Sequence, residues 1–334
     1  MSDARLLTRL LADPSRVGEV RDWTSLLSAA RAESLMGSLA FRVEGAEVPP
    51  KVASLLEDAR RDAAQAKTQA LWEAEMARRA LAPTGVPVVL LKGTAYAGGG
   101  LPAAVGRSIG DLDILVPRDS LPEVERALLA AGWEWVKEDA YDDQYYRRWM
   151  HELPPLIHRE RDRMIDVHHT ILPLTARRRP DAAAMIADSL VLEDGLRILS
   201  PADMIVHAVA HLFADGDLAG GLRNLWDIDR LLRAFAEQID FWPKLNERAR
   251  LHQLRPHVAR ALRLAARLYG TPVVRTLAGR AAPGDPLFER RLLARNGWGQ
   301  AIRPAARLGF YARSHLLRMP PLMLARHLWT KARR

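Results

Sequence analysis

The chain has 334 residues, of which 49% are apolar and 27% charged, a balance that fits one large or two modest folded domains and excludes wholesale disorder. It contains no cysteine, which removes disulfides, zinc–thiolate sites, iron–sulfur clusters and cysteine nucleophiles together. It also lacks a run of about 18 apolar residues that could span a membrane, while a formal net charge of +9 points, at first sight, to nucleic acid.

The start, Met1-Ser2-Asp3-Ala4-Arg5, carries an acid and no long apolar stretch, so no secretory signal is expected. Residues 4–42 read as short helices, with Leu6, Leu7, Leu10 and Leu11, then Trp23, Leu26, Leu27 and Ala30, at helical spacing. A long helix follows Pro49-Pro50. Its Leu56, Ala59, Ala63, Ala66 and Ala70 form a stripe of small residues that lets another element come close. Pro83-Thr84-Gly85 should stop it.

The period then changes. Val86 to Leu91 and Leu112 to Val116 are short apolar runs that read as buried strands. The glycines between them, Gly98-Gly99-Gly100 and Gly106, read as a flexible stretch. Ser120 to Ala131 reads as a helix, with Ser120 and Glu123 as a capping box and Gly132 as its stop. Trp133 to Val136 is a third strand. Leu156 to His158 and Met164 to His168 are expected as two arms of a hairpin turning near Arg161-Asp162. From Ser200 the chain is helical again. Ser200 is expected to cap, Pro201 to open the helix and Asp203 to face the positive end of its dipole. Helices are expected over 203–213, 222–237, 241–269 and about 286–297.

The charge is unevenly placed. Residues 301–334 hold eight basic residues and no acid, whereas the first 300 hold 41 basic and 40 acidic ones. The body is therefore nearly neutral. In the tail, Leu316, Leu317, Met319, Leu322, Met323, Leu328 and Trp329 alternate with arginines. That composition suits packing on the body first, an anionic membrane surface second, and nucleic acid least.

The chemistry concentrates in two segments. Asp111 and Asp113 flank one apolar residue at the start of a strand, so they project to one face. Two such carboxylates repel, and burying them costs several kcal/mol without a cation. A hard divalent ion such as Mg²⁺ is the natural compensator. Asp166 lies inside another apolar strand, with His168 on its own face. Three carboxylates on neighbouring strands suit phosphoryl or nucleotidyl transfer with two ions. Upstream, Lys92, Gly93 and Thr94 leave a buried strand and enter a helix. Backbone N–H groups, a hydroxyl and an ammonium there suit a phosphate.

His207 and His211 share a helix face, but Ala208 stands where a zinc protease needs its glutamate. Core or helix-contact histidines are the default there. For Arg107, phosphate contact and pairing with a carboxylate stand equal, as they do for Lys92.

A strand, a Gly-Thr turn entering a helix, an Asp-x-Asp strand and a later lone Asp together resemble the nucleotidyltransferase superfamily typified by polymerase beta. More specifically, Leu91-Lys92-Gly93, Arg107 with Gly110-Asp111-Leu112-Asp113, and Asp166-Val167-His168 resemble an uncharacterised bacterial branch of it. Leu199-Ser200-Pro201, His207, His211-Leu212, Arg223 and Asp227 fit the same branch. The likeness covers roughly residues 20–235. It implies a transferase that uses ATP or another NTP with two Mg²⁺ ions. Asp111, Asp113 and Asp166 would be metal ligands and catalytic carboxylates, and Lys92, Gly93, Thr94 and Arg107 would hold the nucleotide. Gly-Thr replaces the commoner Gly-Ser or Gly-Gly, and the loop from Gly93 to Asp111 is longer than in many members.

The expected architecture is α+β: a helical segment at 1–82, a small mixed-sheet nucleotidyltransferase core at 83–175, a helical domain at 176–300 and a basic amphipathic tail at 301–334. The expected activity moves a nucleoside monophosphate from an NTP to a hydroxyl or phosphate acceptor. A cytoplasmic location is expected, with peripheral contact at the inner membrane surface through the tail as an option. The alternative is a non-catalytic nucleotide-binding adaptor, or a membrane-surface accessory protein, on the same fold.

Overall fold

The computed structural model describes residues 4–137, 140–321 and 324. Helices α1 (Arg5–Ala12), α2 (Trp23–Ala32) and α3 (Met36–Arg42) precede the long α4 (Pro50–Leu81). In the α4 stripe, Leu56, Ala63 and Ala70 are buried, while Ala59 and Ala66 are half-buried. A Cβ placed on Gly37 of α3 would sit 3.1 Å from the Ala63 Cβ. Small residues on both helices therefore permit the close crossing.

The α/β segment runs β1 (Val89–Leu90), α5 (Lys92–Gly98), β2 (Leu112–Leu115), α6 (Leu121–Ala130), β3 (Trp133–Trp135), α7 (Ala140–Trp149), β4 (Leu156–His158), β5 (Met164–His168), α8 (Ala182–Ala187), β6 (Leu190–Val191) and β7 (Arg197–Ile198). These strands form one mixed seven-stranded sheet in the order β3-β4-β5-β2-β1-β7-β6. The β4–β5 hairpin is antiparallel, as expected, and Asp162 takes a left-handed φ of 53° in its turn. The central β2 and β5 run parallel. An α+β architecture follows, with helices on both ends of the chain.

The helical half contains α9 (Pro201–Val209), α10 (Gly221–Phe235), α11 (Phe241–Leu251), α12 (Arg255–Tyr269), α13 (Arg275–Ala278), α14 (Asp285–Leu292) and α15 (Pro304–Arg318). Leu222, Leu225, Ile228, Leu231 and Leu232 of α10 are all fully buried and belong to the same apolar cluster as β1 and β2.

Several local expectations need correction. Residues 118–120 form a short 3-10 turn before α6, and the Ser120 side chain caps nothing. The continuous helix expected over 241–269 is two helices, because Gln253 between them takes φ 59° and Pro256 opens the second. Asp203 stands in the first turn of α9, as expected, and is also ion-paired. It is fully buried and accepts from Arg248 Nε at 2.7 Å, with His252 Nε2 at 3.1 Å. Ser200 makes no side-chain cap. The glycine stretch is fitted rather than loose: Gly98 belongs to α5, and Gly106, at φ 68°, packs its backbone against Gly37. Strands β6 and β7 extend the sheet beyond residue 175.

The first part of the tail packs on the body. Phe310, Ser314 and Met319 are buried. Arg313 donates to the Phe213 carbonyl at 2.7 Å and lies 5.1 Å from the Phe288 ring centre. Leu308, Tyr311 and Leu316 are exposed. Leu322, Met323, Leu328 and Trp329 lie outside the described residues. Among the described residues, no helix is long and apolar enough to cross a membrane.

Candidate active site

Strand β2 supplies the first carboxylates. Its register against β5 pairs Asp113 with Asp166 and Leu112 with Ile165. Register partners on neighbouring strands point to the same face, roughly 4.8 Å apart. Asp111 lies just before β2 and shares the phase of Asp113. The structure therefore brings Asp111, Asp113 and Asp166 together, each offering an oxygen within 4.8 Å of the others. Asp113 is buried, Asp166 half-buried and Asp111 exposed, so the cluster opens to solvent on one side.

The turn after β1 closes the other side. Leu91 N–H donates to the Asp113 carbonyl at 2.9 Å, which ties the turn to β2. The next residue, Lys92, takes φ 47°, a left-handed conformation that costs a non-glycine residue about 1–2 kcal/mol. Its Nζ compensates by donating to Asp113 Oδ1 at 2.6 Å. Gly93 is required for space rather than for φ, since a Cβ there would meet Arg107 Nε at 2.5 Å and Ile109 Cγ1 at 3.0 Å. The Thr94 hydroxyl is buried without a partner.

Charges around the cluster act in opposite directions. Burial alone would raise the Asp113 carboxyl, but Lys92 and the hydrogen bond from His168 outweigh it and hold the group well below the ordinary carboxylate range. The His168 Nε2 contact to Asp113 Oδ1 is 3.0 Å. Asp166 is pushed up to about 7, first by burial and then by the negative charges of Asp113 and Glu152. Lys92 is raised, because its pairing with Asp113 outweighs burial. His168 is raised in the same way through Asp113 and Glu152. His151 and His207 are both lowered well below the usual imidazole value, chiefly by burial.

Arg107 sits behind the turn. Its Nη1 donates to Asp227 Oδ2, and its guanidinium lies 5.7 Å from the Tyr96 ring centre. Its Nε is buried without a partner. Asp227 also accepts from Arg223 Nε at 3.0 Å, and Arg223 Nη1 reaches Ser38 Oγ at 2.8 Å. This buried network joins α3, α10 and the loop from Gly106. His207 is buried; His211, on the π-helical turn Ala210–Asp215, is solvent-accessible yet close enough to Lys92, Asp113 and Arg107 to feel their charges. Glu152 and His151 are the neighbours that sequence reasoning missed. They lie in an irregular link after α7 and reach the site through backbone bonds to β5, for which no periodic pattern gives notice.

No curated protein is a match for this chain. A family model described as "Uncharacterised nucleotidyltransferase" matches residues 19–270, a span that contains the sheet, the carboxylate cluster and the Arg107–Asp227 network, and the chain belongs to that family.

Proposed function

We propose that the protein transfers a nucleoside monophosphate from an NTP, ATP first among them, to a hydroxyl or phosphate acceptor. The observation that carries this reading is the convergence of Asp111, Asp113 and Asp166 beside the Lys92–Gly93–Thr94 turn. Three carboxylates are hard oxygen donors and fit Mg²⁺. The proton-holding Asp166 supports the fit, since its like-charge crowding is what a divalent ion would relieve. Bound at these three residues, two Mg²⁺ ions would neutralise phosphate charge and make an acceptor oxygen easier to deprotonate.

The chain's own groups supply position and proton transfer. Lys92 and His168 both bond Asp113 Oδ1, which fixes that carboxylate and leaves Oδ2 for a ligand. An acceptor oxygen attacks the α-phosphorus, the bond between the α-phosphorus and its bridging oxygen breaks, and pyrophosphate leaves. Asp166, the register partner of Asp113, takes the proton lost by the acceptor. The backbone of Gly93 and the unmet hydroxyl of Thr94 hold the triphosphate. Arg107 braces that turn through Asp227 and Tyr96. Most of the acceleration is positioning and charge stabilisation.

The test uses ATP labelled in turn at the α- and γ-phosphorus, with Mg²⁺ and a panel of hydroxyl and phosphate acceptors. Transfer of the α-label with release of pyrophosphate is expected. Transfer of the γ-label would make the protein a kinase and overturn the reading. ATP-dependent thermal stabilisation without any transfer would favour the nucleotide-binding adaptor instead.

A further inference from the structure

A second group of ligand-type side chains lies on the far side of His168. His151, Glu152 and His168 each offer one atom within 4.8 Å of the others. Their chemistry differs from that of the three aspartates. Two imidazoles and one carboxylate form a borderline donor set suited to Zn²⁺ or a similar transition ion, whereas Mg²⁺ prefers oxygen alone.

Their spacing points to an ion. Glu152 Oε2 stands 3.4 Å from His168 Nδ1 and 3.7 Å from His151 Nε2. These separations are long for direct hydrogen bonds. The first is close to the edge of a coordination tetrahedron, roughly 3.3–3.4 Å for metal–ligand bonds of about 2.0–2.1 Å, and the second is a few tenths of an ångström longer. Among the described residues, the His151 Nδ1 atom is buried without a partner.

The backbone holds the ligands in place. His169 N–H donates to the His151 carbonyl and Leu153 N–H to the Val167 carbonyl, each at 2.9 Å. Glu152 and His168 form an antiparallel bridge. Glu152 also borders a cavity of about 390 Å³ shared with Tyr146, Arg147 and Arg118. Finally, His168 presents Nδ1 to this group and Nε2 to Asp113 Oδ1 at 3.0 Å. Metal-bound histidines commonly donate their other N–H to a carboxylate, which fixes ring and tautomer.

We infer that His151, Glu152 and His168 form a transition-metal site for Zn²⁺ or a similar ion, distinct from the aspartate cluster and joined to it through His168. Occupancy would lock His168 as an N–H donor to Asp113 and so hold that carboxylate in place. The inference stands on its own ligands and does not require that nucleotides be transferred.

The test is Co²⁺ binding to the full chain in excess Mg²⁺, followed by its visible d–d absorption, with Zn²⁺ as competitor. One equivalent of Co²⁺ should bind, give bands of four- or five-coordinate intensity and be displaced by Zn²⁺. His151→Gln and Glu152→Gln should each weaken binding at least about tenfold, the lower bound for loss of a mere supporting group. Asp111→Asn should bind Co²⁺ as the wild type does. Circular dichroism and melting confirm that each variant is folded. Absence of binding by the wild type overturns the site. Unchanged binding by both folded glutamine variants, or loss of binding in Asp111→Asn alone, would also overturn it and place the ion at the aspartates.

Discussion

Asp113 on β2 and Asp166 on β5 are register partners on adjacent parallel strands, yet their protons behave oppositely. Asp113 is held ionised by Lys92 and His168 despite its burial, while Asp166 keeps its proton up to about pH 7. The difference lies in the neighbours, since Lys92 and His168 both bond Asp113 Oδ1. Pairs of titratable groups pushed apart by their surroundings mark acid–base roles. Under the proposed function Asp113 would be the fixed anion and Asp166 the carboxyl whose charge a bound cation would have to compensate.

That asymmetry has a stability consequence. Between the ordinary carboxylate value and about 7, the folded protein keeps a proton on Asp166 that the unfolded chain has lost. Stability should therefore fall as pH rises through that window and level off above it. Asp166→Asn replaces the titrating carboxyl with a neutral amide, so without divalent ions it should gain about 1–3 kcal/mol over wild type at pH 8 and almost nothing at pH 4. Urea unfolding at the two pH values checks this. Equal effects at both would contradict it.

Divalent-ion binding should carry the same proton. Binding at Asp111, Asp113 and Asp166 needs Asp166 ionised, so Mg²⁺ affinity should drop roughly tenfold per pH unit below about 7 and flatten above. Calorimetric titration at pH 5.5, 6.5 and 8 measures the slope. A flat profile would remove Asp166 from the ligand set.

The network behind the turn should control both stability and nucleotide affinity. Asp227→Asn leaves Arg107 and Arg223 buried with no carboxylate between them, and breaking a buried ion pair costs about 3–5 kcal/mol. Gly93→Ala forces its Cβ against Arg107 Nε and Ile109, an overpacking that costs about 1–3 kcal/mol. Both variants should bind ATP more weakly than wild type in fluorescence titrations. A stable Gly93→Ala variant with unchanged ATP affinity would show that the turn does not hold the nucleotide.

The tail helix should act first as part of the fold. Phe310 meets Phe288 edge-on with ring centres 5.0 Å apart, and Phe310→Ala should lose about 2–4 kcal/mol. In liposome flotation with anionic vesicles, a 1–300 truncation separates the tail's second expected role. Flotation equal to the full chain would reject a membrane contact through residues 301–334.

What the sequence made legible follows from local pattern. The period change at Val86, the glycine at 93 and the i, i+2 aspartates marked the strands and the turn, because those features are local. Strands β6 and β7 were readable but passed over: Leu190-Val191-Leu192, the Asp194-Gly195 turn and Leu196-Arg197-Ile198 make a short hairpin pattern, although the exposure of Leu190 and Val191 leaves it without a buried face. The break between α11 and α12 was hidden by leucines and alanines on both sides, although Pro256 was a usable sign. Pairings at long range carry no local pattern at all: Arg107 and Asp227 are 120 positions apart, and Glu152 lies 16 residues from His168 in an irregular link. The net charge of +9 sits almost wholly in residues 301–334, and cations of the body pair with carboxylates such as Asp113, Asp203 and Asp227.

The most direct measurement is release of pyrophosphate and transfer of α-label from ATP by wild type and by an Asp111→Asn, Asp113→Asn variant, both shown to be folded, in Mg²⁺ with the same acceptor panel. Wild type should label an acceptor and the variant should fall at least about a thousandfold, as expected when the groups that organise charge in the transition state are lost. Equal labelling by the two proteins would contradict the assignment of the active site.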